Sequence, residues 1–416
     1  MIDLQEGTAC VVLGGSSITT LSPSGEINKN QFYPTSLEEY VKGIVEASLS
    51  HGRLQKSRPG VLLVSAPGAF QNEGAIAGLP PNFHRVKEDA LQRGIPNLFF
   101  RELVESELNK RGYGEVLAYG YNDAAPALAA VLSQSNTEEV LSGFETELNV
   151  KRSDYAIKYI INGTGTGEAS LYPDNSKILT AEKGHLKPNF LWYELNPFFK
   201  YITCLSVVGQ NRSIERLLAG GPEQRTIRHF TKIFNAVVDS LKDPESPFLQ
   251  GLSEVLGFQN YQELQEADGQ NGLLSLSKQD SSLSLKDLGV CIEAGSAVAL
   301  SIRNAFARAL GSAAAYMHFV VGEMPDTPLN TFIGPLDIRH SALAFIRSDG
   351  STTALFAQDK EAWNILERGA QDYAKANLRD EPHLFKVLNI NEIFPNIHPD
   401  FGGLPELAAD KLARIR

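Results

Sequence analysis

Cysteine is scarce. Cys10, Cys204 and Cys291 are the three in 416 residues, odd in number and too widely spaced for a disulfide framework or a zinc site. Reduced thiols in a cytoplasmic setting are the simplest expectation. Long apolar runs are also missing: no stretch reaches the roughly 18 uninterrupted residues that a membrane-spanning helix needs. The opening Met1-Ile2-Asp3-Leu4-Gln5-Glu6 has neither the basic residues nor the apolar core of a signal peptide. Positive charge is in deficit, with 38 Lys and Arg against 49 Asp and Glu for a net charge of −11. Nucleic acids and anionic membranes both demand clustered cations, so neither is an expected partner. A locally basic pocket for a nucleotide remains compatible with that balance.

What is present describes a soluble globular chain, 43% hydrophobic and 21% charged. At this length one core does not suffice, and two lobes are the default. Thr8 to Leu13 reads as a buried strand that stops at Gly14-Gly15, with a hairpin to follow through Ile18–Leu21 and Gly25–Ile27. Ser36 to Ser50 has helical spacing with Ser36 as N-cap. Val61 to Val64 is a second buried strand, ending in Ala66-Pro67-Gly68.

Asn97 to Arg111 reads as an amphipathic helix and Glu115 to Tyr119 as a strand. Asn122-Asp123 then precedes an alanine-rich helix, Ala124 to Leu132. A strand, a polar pair and a helix is where ligands collect in α/β folds. Tyr155 to Ile161 leads into Gly163-Thr164-Gly165-Thr166-Gly167, and Glu168 to Leu171 returns. The two strand–glycine turn–strand units suggest an architectural duplication without a residue-level repeat.

Beyond these, residues 206–289 are mostly helical in pattern. Cys291 to His318 reads as one long helix, and Thr331 to Gly334 as a short strand with a turn. Phe385 to Ile390 is a final strand, and Pro405 to Arg416 a closing helix.

Two segments carry chemistry. The small-residue turn at 163–167 lets backbone N–H groups approach an anion, with Thr164 and Thr166 adding hydroxyls. Glu182-Lys183-Gly184-His185 sets a carboxylate and an imidazole three residues apart, suited to sugar hydroxyls. Each has a plainer reading. The first is equally a glycine-rich hairpin and the second a surface pair or metal-ligand pair. Asp123 is equally a helix N-cap, and Asn122 a turn-stabilising amide.

Taken in order, these features resemble the bacterial glucokinases and the wider ROK (repressor/ORF/kinase) sugar-kinase family of the actin/hexokinase-like fold. Leu13-Gly14-Gly15-Ser16 resembles that family's first phosphate loop, and Gly163 to Gly167 its second. Ala66-Pro67-Gly68, with Gly74 and Leu79-Pro80 after it, resembles its proline-glycine turn. Asn122-Asp123 resembles its asparagine-aspartate pair, and Glu182 to His185 its sugar motif. Glu215, ahead of Ala219-Gly220, and Phe401-Gly402-Gly403-Leu404 also have counterparts.

The resemblance implies two α/β lobes, each a mixed sheet flanked by helices, with a cleft between them. The smaller would span 1–124, completed by a C-terminal helix at about 402–416. The larger would span 125–401, with the helical insertion at about 206–289. It implies an ATP-dependent hexose kinase in which Asp123 is the general base. Asn122, Glu182, His185 and Glu215 would bind the sugar, most simply glucose. Gly14, Gly15, Ser16 and Gly163 to Gly167 would hold phosphates, and Gly334 would lie near adenosine, although Phe332-Ile333-Gly334-Pro335 lacks the double glycine usual there. A homodimer is common among similar proteins.

Three positions depart from the family. Its zinc-binding cysteine cluster is absent, so no zinc is expected. Val12 stands where an aspartate normally serves the metal-bound phosphates, and Ser17 where lysine or asparagine is common. Valine cannot hold a hydrated magnesium ion, so Mg2+ would be held by phosphates, water and Asp123. The same departure supports an alternative, a non-catalytic sugar sensor or pseudokinase of the same fold. A sugar-responsive repressor is disfavoured, since the first core strand begins at Thr8 with no helix-turn-helix ahead of it.

Overall fold

The computed structural model describes residues 5–14, 16–22, 25–51, 53–68, 70–80, 83–162, 166–173, 178–181, 183–204, 213–218, 237, 239, 247–269, 272–279, 283, 285–319, 341–347, 359–377, 384–395, 401 and 403–415. Its strands in chain order are β1 (Thr8–Leu13), β2 (Ser17–Leu21), β3 (Ile27–Gln31), β4 (Gly60–Ala66), β5 (Phe70–Gln71), β6 (Ile76–Gly78), β7 (Asn97–Leu98), β8 (Val116–Asn122), β9 (Tyr155–Asn162), β10 (Thr166–Leu171), β11 (Leu179–Ala181), β12 (Ser341–Ile346) and β13 (Phe385–Asn389).

Two five-stranded sheets form, in the orders β3-β2-β1-β4-β8 and β11-β10-β9-β12-β13. In each, the first three strands of the unit run as an antiparallel meander and the last two add in parallel. The duplication expected from the two glycine turns is therefore real at the level of topology. Each turn joins the first two strands of its unit. Strands β5–β7 make a small separate antiparallel sheet.

Parallel strands buried on both faces read as continuous apolar runs, and β1 and β4 are buried at every residue. Ala9, Val11 and Leu13 face a layer that includes helices Leu37–Leu49 and Phe100–Lys110. Cys10 and Val12 face the opposite layer, the C-terminal helix Leu404–Ile415. The end of the chain thus covers the sheet built by its beginning. Ser36 caps its helix as expected, its hydroxyl accepting from the Glu39 N–H at 3.2 Å.

Helix Ala124–Leu132 joins the two units. Ala127, Leu128 and Val131 pack into the core of the second sheet. Gly403 lies so close to this helix that a Cβ there would strike the Pro126 carbonyl and the Ala130 N–H.

The expected single helix from Cys291 to His318 is two helices, Leu285–Glu293 and Ala297–Phe319, bent by 113°. Gly295, at φ 79, takes the left-handed conformation that breaks the run. Ser296 caps the new start, accepting from Ala299 N at 3.1 Å. Behind it, the buried Asp268 carboxylate accepts from the Ser296 hydroxyl and from Val298 N. Asp268 is too distant in sequence for the break to be read locally. Thr331 to Gly334 lie outside the described residues. No single described helix is long and apolar enough to cross a membrane.

Helices Ala297–Phe319 and Lys360–Asn377 cross where Gly311 meets the Leu366 carbonyl and Gly369 meets that of Arg308. Neither carbonyl can retreat without moving its helix. Gly311→Ala is therefore expected to destabilise the fold by about 1–3 kcal/mol through overpacking, despite alanine's better helix propensity. Urea unfolding checks this, and a stabilised variant would show that the helices are not in contact there.

Candidate functional site

The carboxyl ends of β1, β4 and β8 lie side by side, since Val12 pairs with Ser65 and Ala66 with Asn122. Strand β8 runs on to Asn122, three residues past its expected end. Asn122 is almost fully buried. Its Nδ2 donates to the Gly68 carbonyl at 2.9 Å, and its Oδ1 accepts from Ala124 N at 3.0 Å. One amide therefore holds the proline-glycine turn, with Gly68 at φ 117, and starts the helix to the second unit.

Asp123 is left to point elsewhere. The sequence allows it to cap the Ala124 helix, but its backbone is already helical (φ −58, ψ −27) and its side chain makes no capping bond. Its Oδ1 lies 3.5 Å from where a Cβ on Gly167 would sit, at ordinary van der Waals range. The carboxylate that ends the first unit's sheet thus faces the strand leaving the second unit's glycine turn.

On that strand, Thr166 N donates to Glu215 Oε2 at 3.0 Å, and the Thr166 hydroxyl donates to Asn162 Oδ1 at 2.9 Å. Asn162 Nδ2 in turn donates to the Leu218 carbonyl at 3.2 Å. These bonds tie both sides of the 163–165 turn to the helix Ile214–Leu218, which carries Glu215. The short turn Lys183–His185 packs directly on Thr166, where a Cβ on Gly184 would come within 2.5 Å of the Thr166 carbonyl. Ile214 N donates to the Leu186 carbonyl at 2.9 Å, docking the Glu215 helix onto that turn.

The structure therefore brings Asp123, Thr166, Gly167, Gly184 and Glu215 into one region, with Asn122 fixing its edge. In the β1–β2 turn, Gly14 N donates to the Ser17 carbonyl at 2.8 Å, and the Ser16 carbonyl accepts from Phe32 N at 3.0 Å. Gly15, Gly163, Thr164, Gly165, Glu182 and Gly334 lie outside the described residues, as does the side chain of His185.

Sequence reasoning missed a buried ionic cluster beside this region. Glu168 Oε1 accepts from Lys158 Nζ at 2.9 Å and from Lys183 Nζ at 3.2 Å, and all three side chains are at most 3% exposed. Lys158 also approaches His318 Nδ1, at 3.5 Å. The available signal was Lys158 itself, one charge within the otherwise apolar core of β9, Tyr155–Ile161. A cation there must be paired. Burial pushes the Lys158 ammonium down to about 7 against the opposing pull of Glu168. Burial works against the Glu168 carboxylate too, but the two lysines outweigh it and hold its pKa below the usual range. Burial likewise opposes the Lys183 charge, and Glu168 overrides it to raise that pKa.

Val12 is packed among Cys10, Leu21, Phe401 and Leu404. It offers methyl groups where the resemblance would set a carboxylate. Among the described residues no three His, Cys, Asp or Glu side chains converge as a metal cage. Strand β1 therefore offers no carboxylate to a magnesium ion.

No family model matches the chain, and no curated protein sequence does. Among solved structures it is similar to a ROK family transcriptional regulator, a homologue of the E. coli MLC protein, at 12% identity and TM-score 0.54, over 98% of this chain and 81% of that one. It is also similar to the ROK hexokinase from Thermus thermophilus, at 14% identity and TM-score 0.50, over 98% and 99%. The chain thus has the actin/hexokinase-like fold of ROK kinases and regulators.

Asn122→Ala, which removes both backbone anchors, is expected to cost about 1–3 kcal/mol in urea unfolding. The Lys158 shift sets a pH dependence. Its folded pKa of about 7 lies below that of an exposed lysine, so the unfolded chain binds the extra proton in between, and stability rises with pH across that window. Lys183 and Glu168 titrate outside it, above and below. Unfolding at pH 7 and pH 9 should show a gain in the wild-type protein that Lys158→Met lacks.

Proposed function

We propose that this protein is an ATP-dependent hexose kinase of glucokinase type. The observation that carries the reading is the Asp123 carboxylate, which does not cap the Ala124 helix and whose Oδ1 lies 3.5 Å from the Cβ position of Gly167. Phosphoryl transfer to an alcohol needs a base at the attacking hydroxyl and accurate positioning of both partners.

Asp123 takes the proton of the sugar 6-hydroxyl as that oxygen bonds the γ-phosphorus, and the bond to the β-phosphate oxygen breaks to release ADP. Asn122, Glu182, His185 and Glu215 hold the sugar, and the turns at 14–16 and 163–167 hold the phosphates. By the resemblance, Gly334 would serve the adenosine. Magnesium brought by ATP would be held by phosphate and water oxygens together with Asp123, and would supply charge for the transferring phosphoryl group. Closure of the two units over both substrates excludes the water that competes as acceptor.

One observation favours a second reading, a sugar sensor without turnover. The Val12 side chain is sealed against the C-terminal helix, so β1 brings no oxygen to the metal-bound phosphates.

Asp123→Asn should lower kcat by about 10²-fold or more while sugar still binds. A coupled ADP assay over a panel of hexoses measures this, and near-normal turnover in the variant would remove Asp123 from the reaction. Calorimetry with glucose, with and without magnesium-ATP, separates the readings. Sugar binding with neither nucleotide binding nor turnover selects the sensor.

A further inference from the structure

The Glu182-Lys183-Gly184-His185 segment contains a lysine that the sugar-binding reading leaves without a task. Lys183 is 3% exposed, so it is not an ordinary solvated cation between two functional residues. Its ammonium lies 3.2 Å from Glu168 Oε1, and Glu168 follows Gly167 immediately on β10. The pair thus links the sugar-type motif to the strand leaving the phosphate-type turn. On the next residue, Gly184 packs against the Thr166 backbone so tightly that no side chain would fit. A charge contact and a steric contact, one residue apart, hold the same turn against the same strand.

The arrangement around Glu168 is not a minimal ion pair. Lys158, on the neighbouring strand β9, already reaches Glu168 Oε1 at 2.9 Å, and Ser170 donates to the same oxygen at 3.3 Å. Glu168 Oε2 has no hydrogen-bond partner among the described residues. Lys158 thus gives Glu168 one ammonium contact that does not involve the 183–185 turn. Burying a second ammonium is costly. What Lys183 adds is a link between the strand and a segment that has little regular structure of its own, a three-residue turn.

We propose that Lys183 is a positioning residue for the sugar grip: through Glu168 it fixes on β10 the 183–185 turn, the described part of the sugar-type motif. This rests on the sugar-binding reading above.

Lys183→Met keeps most of the apolar stem without the charge and leaves Glu168 paired with Lys158. It is expected to weaken hexose binding about tenfold or more in calorimetry, and to raise the sugar KM more than it lowers kcat, as displacement of a binding group does. Lys158→Met removes the other lysine from the same carboxylate but touches no part of the turn. It should leave sugar affinity within about threefold while changing stability. Equal losses in the two variants, or unchanged affinity in a folded Lys183→Met protein, would overturn the proposal. If the wild-type protein binds no hexose at all, the sugar reading fails and the proposal falls with it.

A measurement on the unsubstituted protein guards against misfolding of either variant. The Leu186 amide, bonded to the Lys183 carbonyl at 3.0 Å, should exchange hydrogen about as slowly as the amides of β10. Exchange faster by about a hundredfold or more would mean that the turn opens independently of the strand, and the proposal would not stand.

Discussion

The fold turns on one side-chain amide. Asn122 closes the first sheet by bonding the Gly68 carbonyl and opens the helix to the second by bonding Ala124 N. Without those two bonds the half-buried Gly68 carbonyl and the buried Ala124 N–H would each lose this partner, and an unpaired buried group costs about 1–3 kcal/mol. With them, the strand end, the turn and the helix axis are set by one rigid group. The helix then takes its bearings from both units, packing Leu128 and Val131 on the second sheet and receiving Gly403 from the segment that leads into the first sheet's covering helix. The position of Asp123 follows from this geometry rather than from any contact made for its own sake.

A second constraint shapes the other side of the region. Two lysines and one glutamate, one each on β9, the 183–185 turn and β10, are buried together. Such clusters add little net stability, because desolvation offsets most of the attraction, and an apolar set of equal volume often serves as well. They do specify register. An apolar patch tolerates a slide of an ångström or two, whereas an ammonium buried beside one carboxylate oxygen does not. Lys183 is held charged by Glu168, while burial makes Lys158 the easier of the two to neutralise.

Much of this was readable in the chain, for reasons that differ by element. Strands β1, β4 and β9 were legible because parallel strands covered on both faces are apolar at nearly every position. The helix 37–49 was legible because Ser36 and its apolar spacing agree. Strand β12, Ser341–Ile346, escaped notice although it is buried throughout, since a six-residue apolar run without turn signals has no distinctive period. The helix break at Gly295 escaped because the Asp268 carboxylate that supports its Ser296 cap comes from another helix. At the site, the order of the motifs was visible but not their contacts. Asn122, not Asp123, satisfies the helix start, and Glu215 holds the Thr166 amide; both facts depend on tertiary placement. Lys158 was the strongest local clue to the ionic cluster, a lone charge in an apolar strand, and its partners lie on other segments.

The two functional readings share the sugar side and part at β1. A phosphate can be held without any side chain, by backbone N–H groups at a turn, so Val12 does not by itself exclude nucleotide. The β1–β2 turn, however, has already committed one such group, since Gly14 N–H is bonded to the Ser17 carbonyl. Any grip on phosphate there falls to the residues just beyond Gly14, without help from a β1 carboxylate. Transition-state charge on the transferring phosphoryl would then be balanced chiefly from the second unit and by the metal that accompanies the nucleotide. A kinase built this way depends on the 163–167 turn to a degree that a two-loop kinase does not, whereas a sensor needs that turn only as a support for the sugar grip. Either demand would fall on β10, which the ionic cluster joins to β9 and the 183–185 turn, because that strand carries Gly167 and seats Gly184 alongside Thr166.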